Sequence, residues 1–134
     1  MSADGVRHAR MEDVPAERYA AGLDWRPVRH HLGIEAFGAG TWHGDTGGEV
    51  IEEHTETEGN ADGHEELYYV ISGRATFTVA GEEIDAPAGT FVAVADPELE
   101  RRAVAQEDGT AILAIGAPRG RVYEVSPWER RRLG

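Results

Sequence analysis

Gly48-Glu-Val-Ile-Glu-Glu-His54-Thr-Glu56, then Glu66-Leu-Tyr-Tyr-Val-Ile-Ser-Gly73, then Arg74-Ala-Thr-Phe-Thr-Val-Ala-Gly-Glu-Glu83, then Ala86-Pro-Ala-Gly-Thr-Phe-Val-Ala-Val94 decide the fold of this chain. Each piece is a short apolar or alternating run, and each ends in turn chemistry: Ser72-Gly73, Ala80-Gly81-Glu82 and Ala86-Pro87-Ala88-Gly89. β-branched and aromatic residues separated by Gly and Pro about every ten positions read as antiparallel hairpins of a sandwich or barrel.

The same punctuation extends outward. Strands are expected near 28–32, 34–41, 49–55, 66–71, 74–80, 83–86, 90–95, 101–106 and 110–115, with further turns at Gly44–Gly48 and Glu107–Gly109. Residues 1–12 are polar and read as an arm. Asp13 to Ala21 is expected to form a short helix, with Asp13 as N-cap, Pro15 in the first turn and Gly22 past the end. Ser126-Pro127-Trp128-Glu129 reads as a capping box with proline at N1, so a short helix is expected at the C-terminus. The expected organisation is an arm and helix over 1–24, one β-barrel over 25–118, and a helical extension over 119–134.

Composition removes whole classes of function. At 134 residues there is room for one domain, which buries roughly two-thirds of its unfolded surface. No apolar run of about 18 residues is present, and no apolar h-region follows the N-terminus, so neither a membrane span nor a secretory leader is expected. Without cysteine there is no disulfide, thiolate site or cysteine nucleophile. These features lead us to expect a cytoplasmic protein. All 13 basic residues are arginine, which removes lysine Schiff-base chemistry. The 25 acidic residues leave a net charge of −12, so neither nucleic acid nor an anionic membrane is an expected partner.

Three motif fragments fail on context. Gly38-Ala-Gly40-Thr-Trp-His43 lacks the third glycine and the following helix of a dinucleotide site. Asp45-Thr46-Gly47 has polar, glycine-rich flanks where an aspartic protease needs a buried strand. His64-Glu65-Glu66-Leu67-Tyr68 opens like a zincin helix, yet it ends in tyrosine and runs into a β-type stretch.

The stretch quoted first resembles the cupin superfamily, in particular its small single-domain barrels. Gly48-x5-His54-x-Glu56 and Glu66-x6-Gly73 are similar to the first cupin motif, G-x5-H-x-H-x3–4-E-x6-G, over a resemblance that spans about residues 28–116. It implies an all-β, double-sheet jelly-roll barrel with a site in its mouth, often holding a divalent metal. His54 and Glu66 match the motif's first histidine and its glutamate, and Glu56 replaces the second histidine. The nine residues between Glu56 and Glu66 imply an inserted loop carrying His64. Counted from Gly89, the second motif, G-x5-P-x-G-x2-H-x3-N, places Glu100 at the histidine and Val104 at the asparagine, with Pro97 displaced by two.

Strand parity, taken with that register, turns His54, Glu56, Glu66, Tyr68, Glu100 and Arg102 toward one cavity. Crowded carboxylates there need a cation, a built-in arginine or a proton. Two functions are compatible with this. The first is a barrel that binds a small organic molecule through Glu56, Tyr68, Glu100 and Arg102. The alternative is a metal-dependent oxygenase, isomerase or lyase in which His54, His64 and Glu66 hold Fe²⁺, Mn²⁺, Ni²⁺ or Zn²⁺. By the same resemblance a homodimer is expected. Trp25, Trp42 and Trp128 read as packing for the terminal segments.

Overall fold

The structure, a computed structural model, describes residues 5–57 and 63–133. Its strands are β1 (Glu17–Ala20), β2 (Leu23–Arg26), β3 (Gly38–Gly44), β4 (Glu49–His54), β5 (His64–Ser72), β6 (Arg74–Val79), β7 (Glu82–Pro87), β8 (Phe91–Val94), β9 (Arg101–Ala105) and β10 (Thr110–Pro118). Helix α1 (Val28–Leu32) follows β2, and helix α2 (Pro127–Leu133) closes the chain. The strands form two antiparallel sheets, one ordered β1-β2-β3-β10-β5-β8 and the other β4-β9-β6-β7. This is the double-sheet jelly-roll barrel expected from the sequence. No helix among the described residues is long and apolar enough to cross a membrane.

Alternation drives the assembly. Tyr68 and Val70 of β5, Phe77 of β6, Ala103 and Ala105 of β9 and Ile112 of β10 all point inward and are almost fully buried. They join Val50, Ile51, Ala75, Ala86, Val92 and Val94 in one core between the sheets. Burying a side chain such as Phe77 or Ile112 contributes roughly 1.5–3 kcal/mol, so the inward face of each strand outweighs its local propensity. Gly73 joins β5 to β6 at φ +74°, and a Cβ there would lie 2.7 Å from the Thr110 Cα. Both the left-handed backbone and the close approach of β10 demand glycine.

The ends of the chain differ from expectation in two places. Asp13–Ala21 is not a helix: a single 3-10 turn covers Met11–Asp13, and Glu17–Ala20 is a strand paired with β2, Glu17 opposite Trp25 and Arg18 opposite Asp24. So short a helix is marginal by itself, whereas the hairpin adds two strands to the sheet and packs Tyr19 edge-on against Trp42. The segment expected as an arm and helix thus contributes β1 and the first two residues of β2 to the six-stranded sheet.

Residues 28–32, expected as a strand, form α1 between Pro27 and the left-handed Gly33 (φ 67°). Its Arg29 is buried against Glu129 of α2, with Nη2 2.6 Å from Oε2. Helix α2 forms where expected, and the Ser126 carbonyl accepts from the Glu129 and Arg130 amides. The Glu129 carboxylate, however, reaches Arg29, a long-range partner no local capping rule anticipates.

Candidate functional site

Small residues open a cavity inside the barrel. Gly38 pairs with Gly116 and Gly40 with Ala114 across β3 and β10, so this stretch of wall carries almost no side chain. A Cβ at Gly40 would lie 2.6 Å from Trp25 Nε1, and one at Gly116 would lie 3.2 Å from Glu66 Cγ. The glycines therefore make room both for the void and for the side chains that border it. The resulting cavity has a volume of about 540 Å³.

Besides Tyr68 and Tyr123, four aromatic rings that pack on one another border it: Tyr19 from β1, Trp25 from β2, Trp42 from β3 and Trp128 from α2. Trp25 and Trp42 are cross-strand partners with stacked rings, centroids 6.0 Å apart. Trp128 packs on Trp25 at 4.8 Å, and Tyr19 stands edge-on to Trp42 at 5.0 Å and to Trp128 at 5.6 Å. Aromatic pairs at such separations contribute about 0.5–1.5 kcal/mol each beyond their burial.

A polar cluster also borders the cavity. His54 closes β4, Glu56 follows it, and Glu66 and Tyr68 lie on one face of β5. The His54 Nδ1–H donates to the Glu52 carbonyl at 2.7 Å, which aims Nε2 at the carboxylates. Nε2 lies 3.4 Å from Glu66 Oε1 and 3.7 Å from Glu56 Oε1. Glu66 Oε1 also accepts from the Tyr68 hydroxyl and, at 2.9 Å, from Arg101 Nη1. Arg101 is wholly buried; its Nε donates to the Leu99 carbonyl and its Nη2 to the Asp96 carbonyl.

Charge is balanced within this group. Burial works against a charged His54, but hydrogen bonds to Glu56 and Glu66 outweigh it and push its pKa up to about 10. Burial alone would raise Glu66; the hydrogen bond and charge of His54, helped by the Tyr68 hydroxyl, bring it down to about 2. Burial and the Glu66 charge push Glu56 up to about 7 against the hydrogen bond from His54. Burial, then Glu66, raises Tyr68 well above its ordinary value, so it stays a phenol that donates. With Glu56 ionised, two carboxylates face one imidazolium and one guanidinium. Near neutrality Glu56 is the group poised to exchange a proton.

The structure brings His54, Glu56, Glu66 and Tyr68 together. His54, Glu56 and Glu66 each offer one ligand atom, all within 4.8 Å of one another, a set that could hold a metal ion. His64 is not in that set and not in a solvent loop: it is the first residue of β5, buried, bordering the cavity with its ring 5.7 Å from that of Tyr123. Residues 58–62 of the expected inserted loop lie outside the described residues.

Glu100 and Arg102 do not reach the cavity. Glu100 is exposed, and Arg102 faces outward, with Nε 2.9 Å from Glu49 Oε2. Strand β9 is offset by one residue from the expected parity, and Arg101, Ala103 and Ala105 are the inward set. Such a slip exchanges the two faces of the whole strand. The signal lay one turn earlier. Counted from Gly81, the second motif reads Gly81-x5-Pro87-x-Gly89-x2-Val92, which puts an apolar core residue, opposite Tyr68, at the histidine position. Sequence reasoning also missed the four-ring wall, whose members come from widely separated segments. Their partnership is visible only once β2 and β3 are paired.

No protein-family model matches the chain, and no curated protein matches it. Solved structures do. KdgF from Halomonas sp. superposes with a TM-score of 0.67 at 18% identity, covering 81% of this chain and 89% of that one. A cupin protein from Bacteroides fragilis matches at 0.67 and 18%, covering 92% and 93%. A "predicted oxalate decarboxylase" from Thermotoga maritima matches at 0.68 and 15%, covering 84% and 99%.

Proposed function

We propose that this chain, which has the cupin fold, is a small-molecule-binding barrel whose organic ligand occupies the cavity between the four aromatic rings and the His54–Glu56–Glu66 cluster. The observation that carries this reading is the cavity itself. Its volume of about 540 Å³ lies within the range of small-molecule sites, and convergent polar groups sit among apolar walls. The buried Arg101 supports binding without a metal, because it supplies the fixed positive charge that Glu66 needs.

The test is titration of chelator-treated protein with small organic acids, amines, sugars and aromatics, read by tryptophan emission and calorimetry. Trp25, Trp42 and Trp128 all border the cavity, so a bound ligand should shift their emission. Ala114→Leu, which adds bulk to the bare wall, should abolish that shift while leaving the fold intact. A ligand whose binding is indifferent to Ala114→Leu would place the site elsewhere.

A second reading, a metal-dependent enzyme, is favoured by the three convergent ligand atoms. One imidazole with two carboxylates suits a hard divalent ion such as Mn²⁺, and Fe²⁺, Ni²⁺ and Zn²⁺ are chemically compatible as well. Such an ion would polarise a carbonyl or activate water or O₂. In that case His54 must surrender its proton to ligate. Arg101 and Tyr68 would hold Glu66 in orientation, and Glu56 would exchange protons with solvent less readily than in the metal-free cluster. Elemental analysis of tag-free protein and of His54→Ala separates the two readings. Near-stoichiometric metal that disappears in the variant supports the enzyme, and metal-free protein that also takes up no added ion supports the binding barrel.

A further inference from the structure

The aromatic wall and the charges around it narrow the class of ligand, a step that rests on the small-molecule reading. The charged side chains that border the cavity, apart from its histidines, are all carboxylates: Glu52, Glu53, Glu56, Glu66 and Glu129. Three of them are answered from within the fold. Glu66 is held by Arg101, Glu129 by Arg29 at 2.6 Å, and Glu56 by His54. Glu52 and Glu53 are exposed, and neither is in an ion pair among the described residues. Negative charge therefore remains at the mouth, beside rings whose π faces attract positive charge.

A second observation points the same way. The chain already seats a cation on this cluster: the Arg132 guanidinium carbon lies 4.5 Å from the centroid of the Tyr19 ring. Burial raises the Tyr19 pKa, the negative charge of Glu52 adds to that, and the Arg132 charge opposes it by a smaller amount. Rings and carboxylate thus act on the same space.

We propose that the ligand is an organic cation, its ammonium or other onium group seated against Tyr19, Trp42 and Trp128, which Trp25 backs from within the wall, with Glu52 and Glu53 supplying the countercharge. A neutral ring would gain the stacking without the charge attraction, and an organic anion would meet unanswered carboxylates at the entrance. The net charge of −12 favours approach of a cation over an anion for the same reason.

The experiment compares choline with 3,3-dimethylbutan-1-ol, which has the same shape with a neutral carbon in place of the nitrogen. Glucose, phenol and propionate serve as neutral and anionic controls. Binding to the intact chain is read by calorimetry and tryptophan emission. Choline should bind at least about tenfold more tightly than the isostere, as a desolvated cation–π contact predicts. Glu52→Gln, an exposed change that spares the core, should weaken choline and leave the isostere unchanged, whereas Trp128→Leu should weaken both and choline by the larger factor. The comparison of ligands on the unmodified chain stands even if Trp128→Leu fails to fold. Equal or tighter binding of the isostere, or binding of glucose, phenol or propionate in preference to choline, overturns the cationic ligand and leaves the binding barrel standing. No binding of any probe at millimolar concentration overturns both.

Discussion

Arg101 and Glu66 join the two sheets of the barrel: Nη1 on β9 lies 2.9 Å from Oε1 on β5, and the arginine side chain is wholly buried. Removing one partner of a buried pair costs about 3–5 kcal/mol, because the other charge is left without compensation. Arg101→Met is therefore expected to lower stability in urea denaturation, by less than that full amount because His54 remains as an opposite charge beside Glu66. Adding Glu66→Met should recover most of the loss. A double variant no more stable than the single would show that Glu66 is not what makes Arg101 necessary.

The His54 cluster makes stability depend on pH in a defined direction. His54 holds its proton up to about pH 10 when folded, against an ordinary value of 6.5. Its contribution is full below pH 6.5 and is lost as pH rises through 10. Glu56, raised from 4.5 to about 7, acts in the same direction over its own interval. Glu66, lowered to about 2, contributes above 4.5 and loses its contribution as pH falls through 2. The Tm of chelator-treated protein should thus decline steadily on the alkaline side, and His54→Gln should flatten the limb between pH 6.5 and 10. An unchanged slope in the variant would remove His54 as its source.

The Arg29–Glu129 pair fastens α2 to α1 and so keeps Trp128 on the aromatic wall. Glu129→Ala leaves Arg29 buried without its carboxylate, and the short helix is the element that can let go. We expect faster tryptic cleavage at Arg130–Arg132 together with a red shift of tryptophan emission. Cleavage at the unmodified rate would mean that the aromatic contacts alone hold the helix.

The outer surface of the barrel bears on assembly. On the outer side of β5 and β8, Phe91 is 67% exposed, Leu67 is 36% exposed, and the Tyr69 and Phe91 rings lie 4.6 Å apart. We propose that this face pairs two copies of the chain, since adjoining exposed apolar side chains on a sheet mark interaction sites. Light scattering at moderate salt should return twice the chain mass, and Phe91→Glu should return the monomer. A monomeric unmodified chain would leave this face without that role.

Much of the barrel was legible in residue order because its rules are local. Gly73 reads as glycine for a left-handed turn, and Gly81, Pro87 and Gly89 punctuate the hairpins. Phe77 and Ile112 announce the inward faces of β6 and β10 by alternation. His54, Glu56, Glu66 and Tyr68 could be placed on one side of their strands for the same reason. The terminal segments were less legible. Glu17–Ala20 and Val28–Leu32 are too short for periodicity to separate strand from helix, and each is decided by the partner it meets, β2 for the first and Glu129 for the second.

Only the tertiary structure decided which arginine is inside. Glu100, Arg101 and Arg102 are three charged residues in a row, and their hydrophobic pattern fits either parity. Pairing of Phe77 with Ala103, together with the irregular register between β4 and β9, turns Arg101 inward and Arg102 out. The aromatic wall is of the same kind, for Trp25, Trp42 and Trp128 meet only after two strands pair and a distant helix docks. Turns and strand faces follow from the conformational preferences of neighbouring residues, which the sequence carries in itself. Burial of a charge and convergence of distant rings follow from contacts between remote segments, which exist only once the sheets have closed.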